Sequence, residues 1–136
     1  MVGIVIVSHS QKLAESVVEL AALMAPNAPM AAAGGLEDGG FGTSFEKIET
    51  AIRSVYSQDG VVILMDLGSA VMTTEMVVEL FEGEKVAMAD APLVEGAVVA
   101  AIVSVGNVGF EDIMEHLKKE GETKKYLTEN EGRVVI

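Results

Sequence analysis

Short apolar runs alternate along the chain with segments in which apolar residues recur at helical spacing. Residues 2–7 and 61–65 are continuous runs of β-branched and aliphatic side chains, a composition typical of strands buried on both faces of a parallel sheet. Residues 84–89 are predicted as a short strand, and residues 28–33 as a weaker one because alanine is a poor strand former. The pattern therefore predicts four strands, and residues 134–136 either add an edge strand or remain outside the sheet.

A helical segment follows each predicted strand. Thr43 and Glu46 have the spacing of a capping box, which predicts a helix start at Thr43, and Ser69 can cap the next helix after a turn at Gly68. Helical spacing also predicts core positions, which on the first and third helices are Leu13, Val17, Leu20, Ala21, Met24, Met72, Met76 and Leu80. Alternating strands and helices imply right-handed crossovers. The predicted fold is a three-layer α/β sandwich, a mostly parallel sheet with helices on both faces.

The chain is predicted to form one domain over residues 1–136, with a charged tail from residue 119 whose structure the pattern does not predict. Half of the residues are apolar, yet no run approaches the ~20 apolar residues of a membrane-spanning helix. The absence of cysteine excludes disulfides and thiolate metal sites and fits a reducing compartment. We therefore expect a cytoplasmic protein that does not enter the membrane.

The chain is strongly acidic, with 21 acidic and 9 basic residues and a formal net charge of −12. Such a surface repels nucleic-acid phosphates, which argues against a nucleic-acid partner. A phosphate site on this chain would depend on backbone amides and helix N-termini more than on lysine or arginine. The charge itself is explained either by solubility or by a basic protein partner.

Candidate chemistry gathers at the carboxyl ends of the strands, where open α/β sheets bind ligands. His9 follows the first strand and Asp66 follows the third. A carboxylate there can accept a hydrogen bond from one imidazole nitrogen, which leaves the other with a free lone pair. It also stabilises the cation that forms when this lone pair attacks phosphorus. His9 is therefore the predicted catalytic nucleophile, and Asp66 is its predicted partner.

Three predicted helix starts border this pair, at Ser10, Thr43 and Ser69. Helix N-termini bind anions through free N–H groups, and the three hydroxyls can add hydrogen bonds, although each residue can also be a simple N-cap. The glycine-rich loop of residues 34–42 lacks the Gly-x-x-x-x-Gly-Lys-Ser/Thr pattern of a nucleotide-binding loop. We therefore expect the chain to bind no cofactor by itself.

Other functions explain fewer of these residues. A metal-dependent hydrolase needs several convergent ligands, and this edge offers only His9, Asp66 and Asp38, so no metal site is predicted. A phosphorylated receiver domain needs an acidic pair after the first strand, where Ser8-His9-Ser10 stands. A non-catalytic acidic interaction domain stays open, although it does not explain the pairing of His9 with Asp66.

Four short motifs resemble one protein family. They are Val7-Ser8-His9-Ser10, Gly42-Thr43, Met65-Asp66-Leu67-Gly68-Ser69-Ala70 and Ala91-Pro92-Leu93-Val94-Glu95-Gly96. In this order and spacing, residues 1–117 resemble the phosphotransfer subunits of phosphoenolpyruvate-dependent dihydroxyacetone kinases, the DhaM family, which have the mannose-type IIA fold. A mannose-type IIA domain of a sugar transporter is the alternative within this fold, but its third-strand turn is expected to contain a tryptophan and an extra glycine.

The resemblance has implications beyond the residue pattern. It implies a homodimer, and a sheet with four parallel strands and one antiparallel edge strand. His9 would accept a phosphoryl group from HPr and pass it to ADP, which the nucleotide-binding subunit of dihydroxyacetone kinase holds with magnesium. Asp66 would orient His9, while Thr43, Gly68 and Ser69 would lie at the phosphoryl site.

Overall fold

The computed structural model describes residues 1–123 and residue 125. Strands and helices alternate in the predicted order. They are β1 Gly3–Ser8, α1 Gln11–Met24, β2 Met30–Gly34, α2 Phe45–Val55, β3 Val61–Met65, α3 Gly68–Val78 with a 3₁₀ turn at Glu79–Phe81, β4 Val86–Met88, α4 Leu93–Val105 and α5 Phe110–Glu122. The first residues of the predicted tail are thus the last turn of α5. Residues 124 and 126–136 of that tail lie outside the described residues.

The four strands form one sheet in the order β2-β1-β3-β4, and all neighbouring pairs are parallel. β1 pairs with β2, where Ser8 lies opposite Gly34, and with β3, where Val7 lies opposite Met65. All of β1 is buried, in agreement with its apolar sequence. Within residues 1–123 and 125 the sheet has no antiparallel strand, so the edge strand that the resemblance implies is not seen there.

Helices cover both faces of the sheet, because successive strand side chains point to opposite sides. On one face α1, α4 and α5 pack on Ile4, Ile6, Val62 and Leu64. On the other face α2 and α3 pack on Val5, Val7, Val61 and Ile63. All eight of these strand side chains are fully buried, and each such burial stabilises a fold by about 1.5–3 kcal/mol. The predicted three-layer α/β sandwich is confirmed.

The buried faces of α1 and α3 differ in part from the prediction. The buried residues are mostly small: Ala14, Val17 and Ala21 in α1, and Ala70, Thr74 and Val77 in α3. Val17 and Ala21 were predicted correctly, but the prediction was wrong for Leu13, Leu20, Met24, Met72, Met76 and Leu80, which are exposed. Small side chains let a helix approach the sheet closely. Both helices have an apolar stripe wider than the face that contacts the sheet, so spacing alone does not select the buried side.

The strand order creates a crevice between β1 and β3. From β1 the chain crosses through α1 to β2 at one edge, and it then returns through α2 to β3 on the other side of β1. The connections that follow β1 and β3 therefore diverge at the carboxyl edge, where open α/β sheets bind their ligands. His9 follows β1 and Asp66 follows β3, so the fold places both residues at this crevice.

Candidate functional site

His9 lies in the short connection between β1 and α1. Its N–H donates to Oδ2 of Asp66 at 3.0 Å, and its carbonyl accepts from the N–H of Gly42 at 2.9 Å. Ser10 is the N-cap of α1 and accepts a hydrogen bond from the N–H of Leu13. The imidazole is 24% exposed. His9 is therefore fixed through its backbone while its ring stays open to a reactant.

Asp66 receives several hydrogen bonds at the end of β3. Its Oδ1 lies 3.0 Å from Nδ1 of His9 and accepts from the N–H of Leu67 at 2.7 Å. Its Oδ2 accepts from the hydroxyl of Ser8 at 2.8 Å and from the N–H of His9. Partial burial raises the pKa of Asp66, but the hydrogen bonds from His9, Ser8 and Leu67 outweigh it and hold the pKa below its ordinary value. The carboxylate is therefore ionised at neutral pH.

The ionised carboxylate decides which nitrogen of the imidazole carries the proton. A carboxylate can only accept hydrogen bonds, so Nδ1 of His9 donates its proton to Oδ1 of Asp66. In the neutral ring Nε2 then has a free lone pair. A histidine held in this tautomer can attack an electrophile through Nε2.

Nε2 of His9 faces the first turn of α3, where it contacts the hydroxyl of Ser69. Because Nε2 carries no proton in this tautomer, the Ser69 hydroxyl is the donor. Within the described part of the chain, no side chain other than those of its two chain neighbours lies within 4 Å of the point where a Cβ of Gly68 would stand. The start of α3 therefore has open space at Gly68.

The N-terminus of α3 is bonded differently from those of α1 and α2. Ser10 and Ser44 cap α1 and α2 with their side chains. The N-cap of α3 is Leu67, whose side chain makes no capping hydrogen bond to the first turn of the helix. The prediction that Ser69 caps this helix is wrong, since Leu67 is the extended residue and the helix begins at Gly68. The first N–H groups of α3, at the positive end of its dipole, are thus available to an anion.

Thr43, just before α2, forms a hydrogen bond to α3. It does not cap α2 as the capping-box pattern predicts, because Ser44 is the N-cap. The Thr43 hydroxyl instead bonds the hydroxyl of Thr73 at 2.9 Å, and Thr73 donates to the carbonyl of Ser69 at 3.1 Å. Since the Thr73 hydroxyl has one proton, Thr43 is the donor in the first bond. The Thr43 hydroxyl, which the capping-box spacing predicts as the cap of α2, therefore makes a tertiary contact with α3 instead.

The glycine-rich loop after β2 brings an exposed aromatic residue to the site. Gly42 has a φ of +146°, and its N–H binds the carbonyl of His9. Phe41, which directly precedes Gly42, is 83% exposed. At the start of α3, Leu67 and Met72 are 64% and 68% exposed. We call Phe41, Leu67 and Met72 the apolar rim. The sequence analysis does not predict the apolar rim. The features of the sequence that point to it are one aromatic residue in a glycine-rich loop and a methionine three positions after Ser69.

Comparison with known proteins identifies the family. Residues 3–118 match the model of the EIIA-man family, described as the PTS system fructose IIA component. Over 117 residues the chain is 39% identical to the phosphotransferase subunit DhaM of the PTS-dependent dihydroxyacetone kinase of Lactococcus lactis subsp. lactis, covering 86% of this chain and 94% of that protein. The chain belongs to the DhaM family.

A longer DhaM matches over only part of its length. The phosphoryl donor subunit DhaM of the PEP-dependent dihydroxyacetone kinase of Escherichia coli strain K12 is 39% identical over 121 residues, which are 84% of this chain and 26% of that protein. The phosphotransferase system component EIIA from Streptococcus agalactiae has the same fold, with a TM-score of 0.68 at 15% identity over 90% of this chain and 93% of that one. The DhaM of L. lactis, by contrast, is a relative of length comparable to this chain.

His116, the second histidine of this DhaM chain, lies away from the crevice. It is exposed on α5, where its Nδ1 contacts the carbonyl of Asp112 at 2.8 Å. Among residues 1–123 and 125, no three histidine, aspartate or glutamate side chains converge as a metal site. No helix in that part of the chain is long and apolar enough to cross a membrane. At the crevice between β1 and β3, the titratable groups in direct contact are those of His9 and Asp66.

Proposed function

We propose that the chain is a phosphohistidine carrier and acts as a phosphotransferase subunit of dihydroxyacetone kinase. It accepts a phosphoryl group from phospho-HPr on His9 and passes it to ADP on the nucleotide-binding subunit of the kinase. One observation supports this above all: Nδ1 of His9 is held 3.0 Å from the ionised Asp66, while Nε2 faces the start of α3. The E. coli relative is a phosphoryl donor subunit, which supports the direction of transfer.

Each transfer is an in-line displacement at phosphorus. The lone pair on Nε2 of His9 forms a bond to phosphorus as the bond between phosphorus and the donor breaks. The ring keeps its Nδ1 proton and becomes a cation, which the carboxylate of Asp66 stabilises. In the second step the N–P bond breaks, a β-phosphate oxygen of ADP bonds to phosphorus, and the neutral ring returns. The ring neither gains nor loses a proton in either step.

The start of α3 supplies donors for the phosphoryl oxygens. The N–H groups of Gly68 and Ser69 lie in its first turn, and the Ser69 hydroxyl can rotate from Nε2 to a phosphoryl oxygen. Ser10 directly follows His9 at the start of α1, and Thr43 contacts α3 through its hydrogen bond to Thr73. These donors bind an anion without a lysine or arginine, which suits a chain with a net charge of −12.

In this proposal the chain acts in the cytoplasm as a homodimer. It binds no cofactor or nucleic acid itself, and magnesium comes with the ADP on the partner subunit. The apolar rim of Phe41, Leu67 and Met72 supports a protein partner, because exposed apolar groups around a reactive side chain lose water when another protein docks. The match to a phosphotransferase-system family supports HPr as the donor.

Phosphorylation in vitro tests the proposal. The protein is incubated with phosphoenolpyruvate, enzyme I and HPr, and its intact mass is measured. We expect one phosphoryl adduct that is labile in acid and stable in base, as a phosphohistidine is. The variant His9→Ala should stay unmodified with a native circular dichroism spectrum, whereas the matched control His116→Ala should be modified like the wild type. An adduct on His9→Ala, or an acid-stable adduct, would contradict the proposal.

A second experiment identifies the acceptor. The phosphorylated protein is mixed either with the ADP-loaded nucleotide-binding subunit of a dihydroxyacetone kinase or with a mannose-type IIB domain. We expect the adduct to disappear and ATP to form on the kinase subunit, with no loss of adduct to the IIB domain. Transfer to the IIB domain alone would assign the chain to a sugar transporter.

A further inference from the structure

The hydroxyl of Ser69 completes a line of three polar side chains across the crevice. Oδ1 of Asp66 accepts the Nδ1 proton of His9 at 3.0 Å, and Nε2 on the other side of the ring accepts the hydroxyl proton of Ser69. In the proposed phosphoryl transfer this hydroxyl only donates a hydrogen bond. A serine that donates its proton to a histidine held by a carboxylate is, however, also the arrangement that activates a serine nucleophile.

Asp66 is held in the position that a histidine base requires. It accepts hydrogen bonds from the hydroxyl of Ser8 and from the backbone N–H groups of His9 and Leu67. These bonds fix the carboxylate, and the carboxylate keeps the imidazole proton on Nδ1. When Nε2 takes the proton of Ser69, the ring becomes a cation beside an ionised carboxylate, which stabilises it.

The position of Ser69 provides hydrogen-bond donors for a negative charge that develops next to its oxygen. Ser69 is the second residue of α3, and Leu67 at the N-cap makes no side-chain hydrogen bond to the first turn. The N–H groups of Gly68 and Ser69 precede the first bonds of the helix and lie at the positive end of its dipole. A serine on a turn from a strand to a helix, with backbone N–H groups beside it, is also how α/β-hydrolases expose their nucleophile and bind an oxyanion.

The surroundings of Ser69 indicate which substrate the site can take. Met72 lies three positions after Ser69, on the same side of α3, and is 68% exposed, while Leu67 just before the helix is 64% exposed. These apolar side chains can contact the acyl group of a substrate. Asp66 and the net charge of −12 repel an anionic substrate. The site therefore fits a small uncharged ester with an apolar acyl group.

We propose that Ser69, His9 and Asp66 form a catalytic triad that hydrolyses small uncharged carboxylic esters. The oxygen of Ser69 forms a bond to the carbonyl carbon while its proton moves to Nε2 of His9, and the first N–H groups of α3 bind the oxyanion. The bond from carbon to the alcohol oxygen then breaks, and Nε2 returns the proton to that oxygen, which leaves an acyl group on Ser69. Water attacks this acyl group with Nε2 as the base, releases the carboxylic acid and restores the serine hydroxyl.

Ester hydrolysis and phosphoryl transfer use the same lone pair on Nε2 of His9. A phosphoryl group on Nε2 prevents this nitrogen from taking the proton of Ser69. The phosphorylated protein should therefore lose ester hydrolysis and regain it when the phosphoryl group is removed. This exclusion rests on the proposed function, whereas the reaction of the unphosphorylated protein with an ester does not.

Labelling of the full chain with an alkyl fluorophosphonate tests whether Ser69 is activated. The oxygen of an activated serine displaces fluoride from phosphorus and forms a stable adduct, which intact mass and peptide mapping detect. We expect one adduct, on Ser69, and none on Ser69→Ala or His9→Ala. The matched control is Ser54→Ala, which removes an exposed serine of α2 whose hydroxyl donates to the carbonyl of Ala51. It should be labelled like the wild type.

Hydrolysis of p-nitrophenyl acetate, followed by absorbance, measures the complete reaction. Ser69→Ala should lower kcat/KM about 100-fold or more, and Asp66→Asn at least about tenfold, because each removes one member of the triad. Ser54→Ala should hydrolyse the ester at the wild-type rate. An imidazole can attack an activated ester without a serine, so Ser69→Ala separates the triad from a reaction of His9 alone. Circular dichroism checks that the variants fold.

Three outcomes would overturn this proposal. They are a wild type without a fluorophosphonate adduct, an adduct on a residue other than Ser69, and a folded Ser69→Ala variant that hydrolyses the ester like the wild type. Phosphorylation of the wild type by phospho-HPr is measured separately. Labelling of Ser69 without phosphorylation of His9 would support the triad and contradict the proposed function, whereas phosphorylation of His9 without labelling of Ser69 would overturn the triad alone.

Discussion

At the scale of the residue, one carboxylate organises the reactive histidine. Oδ2 of Asp66 holds the backbone of His9 and the hydroxyl of Ser8, and Oδ1 orients the ring. Because these bonds keep the pKa of Asp66 below its ordinary value, the carboxylate stabilises the folded protein at pH values above that ordinary value. The contribution is lost as the pH falls through the lowered pKa. The same charge therefore supports the fold and selects the tautomer.

Asp66→Asn should slow phosphoryl transfer to His9 by about 100-fold or more. An amide can donate to Nδ1 of the ring, which favours the tautomer with its proton on Nε2 and so removes the nucleophilic lone pair. Rapid-quench measurement of single-turnover transfer from phospho-HPr checks this. Asp90→Asn, an exposed residue beyond the end of β4, is the matched control and should react at the wild-type rate. A rate for Asp66→Asn within a few-fold of the wild type would mean that Asp66 has only a structural role.

The meeting of His9 and Asp66 could be expected from the sequence, but its details could not. Each follows a run of buried apolar residues, and the carboxyl ends of parallel strands lie at the same edge of a sheet. The bonds from Ser8 and Leu67 to Asp66 depend on the path of the backbone in two turns. Spacing along the chain does not encode that path, so these contacts emerge only in three dimensions.

At the scale of the element, the strands could be predicted more fully than the helices. An unbroken apolar run such as β1 can only be buried on both sides, so its place in the sheet follows from composition. The face of α3 could not be predicted, because Met72 and Met76 are as apolar as the buried Val77. The predicted N-cap of α3 was also wrong. Ser69 is the better capping residue by type, yet the turn after Asp66 makes Leu67 the N-cap.

The N-terminus of α3, which has no side-chain cap, predicts a conflict between stability and activity. In Leu67→Asp the new carboxylate can accept from the first N–H groups of α3, which should raise the free energy of unfolding by about 0.5–1 kcal/mol in urea titrations. It would also occupy and repel the site of the phosphoryl group, so transfer to His9 should slow at least tenfold. Leu67→Ala controls for the lost apolar side chain. A variant that is stabilised and fully active would show that these N–H groups do not bind the phosphoryl group.

At the scale of the whole molecule, the acidic chain exposes apolar side chains beside its reactive residue. Phe41 precedes Gly42, whose N–H binds the carbonyl of His9, and Leu67 directly follows Asp66, so the apolar rim borders the carboxyl edge of the sheet. On a chain with a net charge of −12, this rim is a place where another protein can approach without like-charge repulsion. It suits a transient contact at the reactive residue.

One truncation tests the apolar rim. Phe41→Ala removes the most exposed large side chain of the rim and should raise KM for phospho-HPr about tenfold with kcat unchanged, because the contact contributes to docking and not to the chemical step. Leu23→Ala, which removes a side chain 80% exposed near the end of α1, is the matched control and should leave KM unchanged. Steady-state transfer assays measure KM and kcat for both variants. If Phe41→Ala kept the wild-type KM, the rim would not be the docking surface, because a side chain so exposed has few contacts within its own chain to lose.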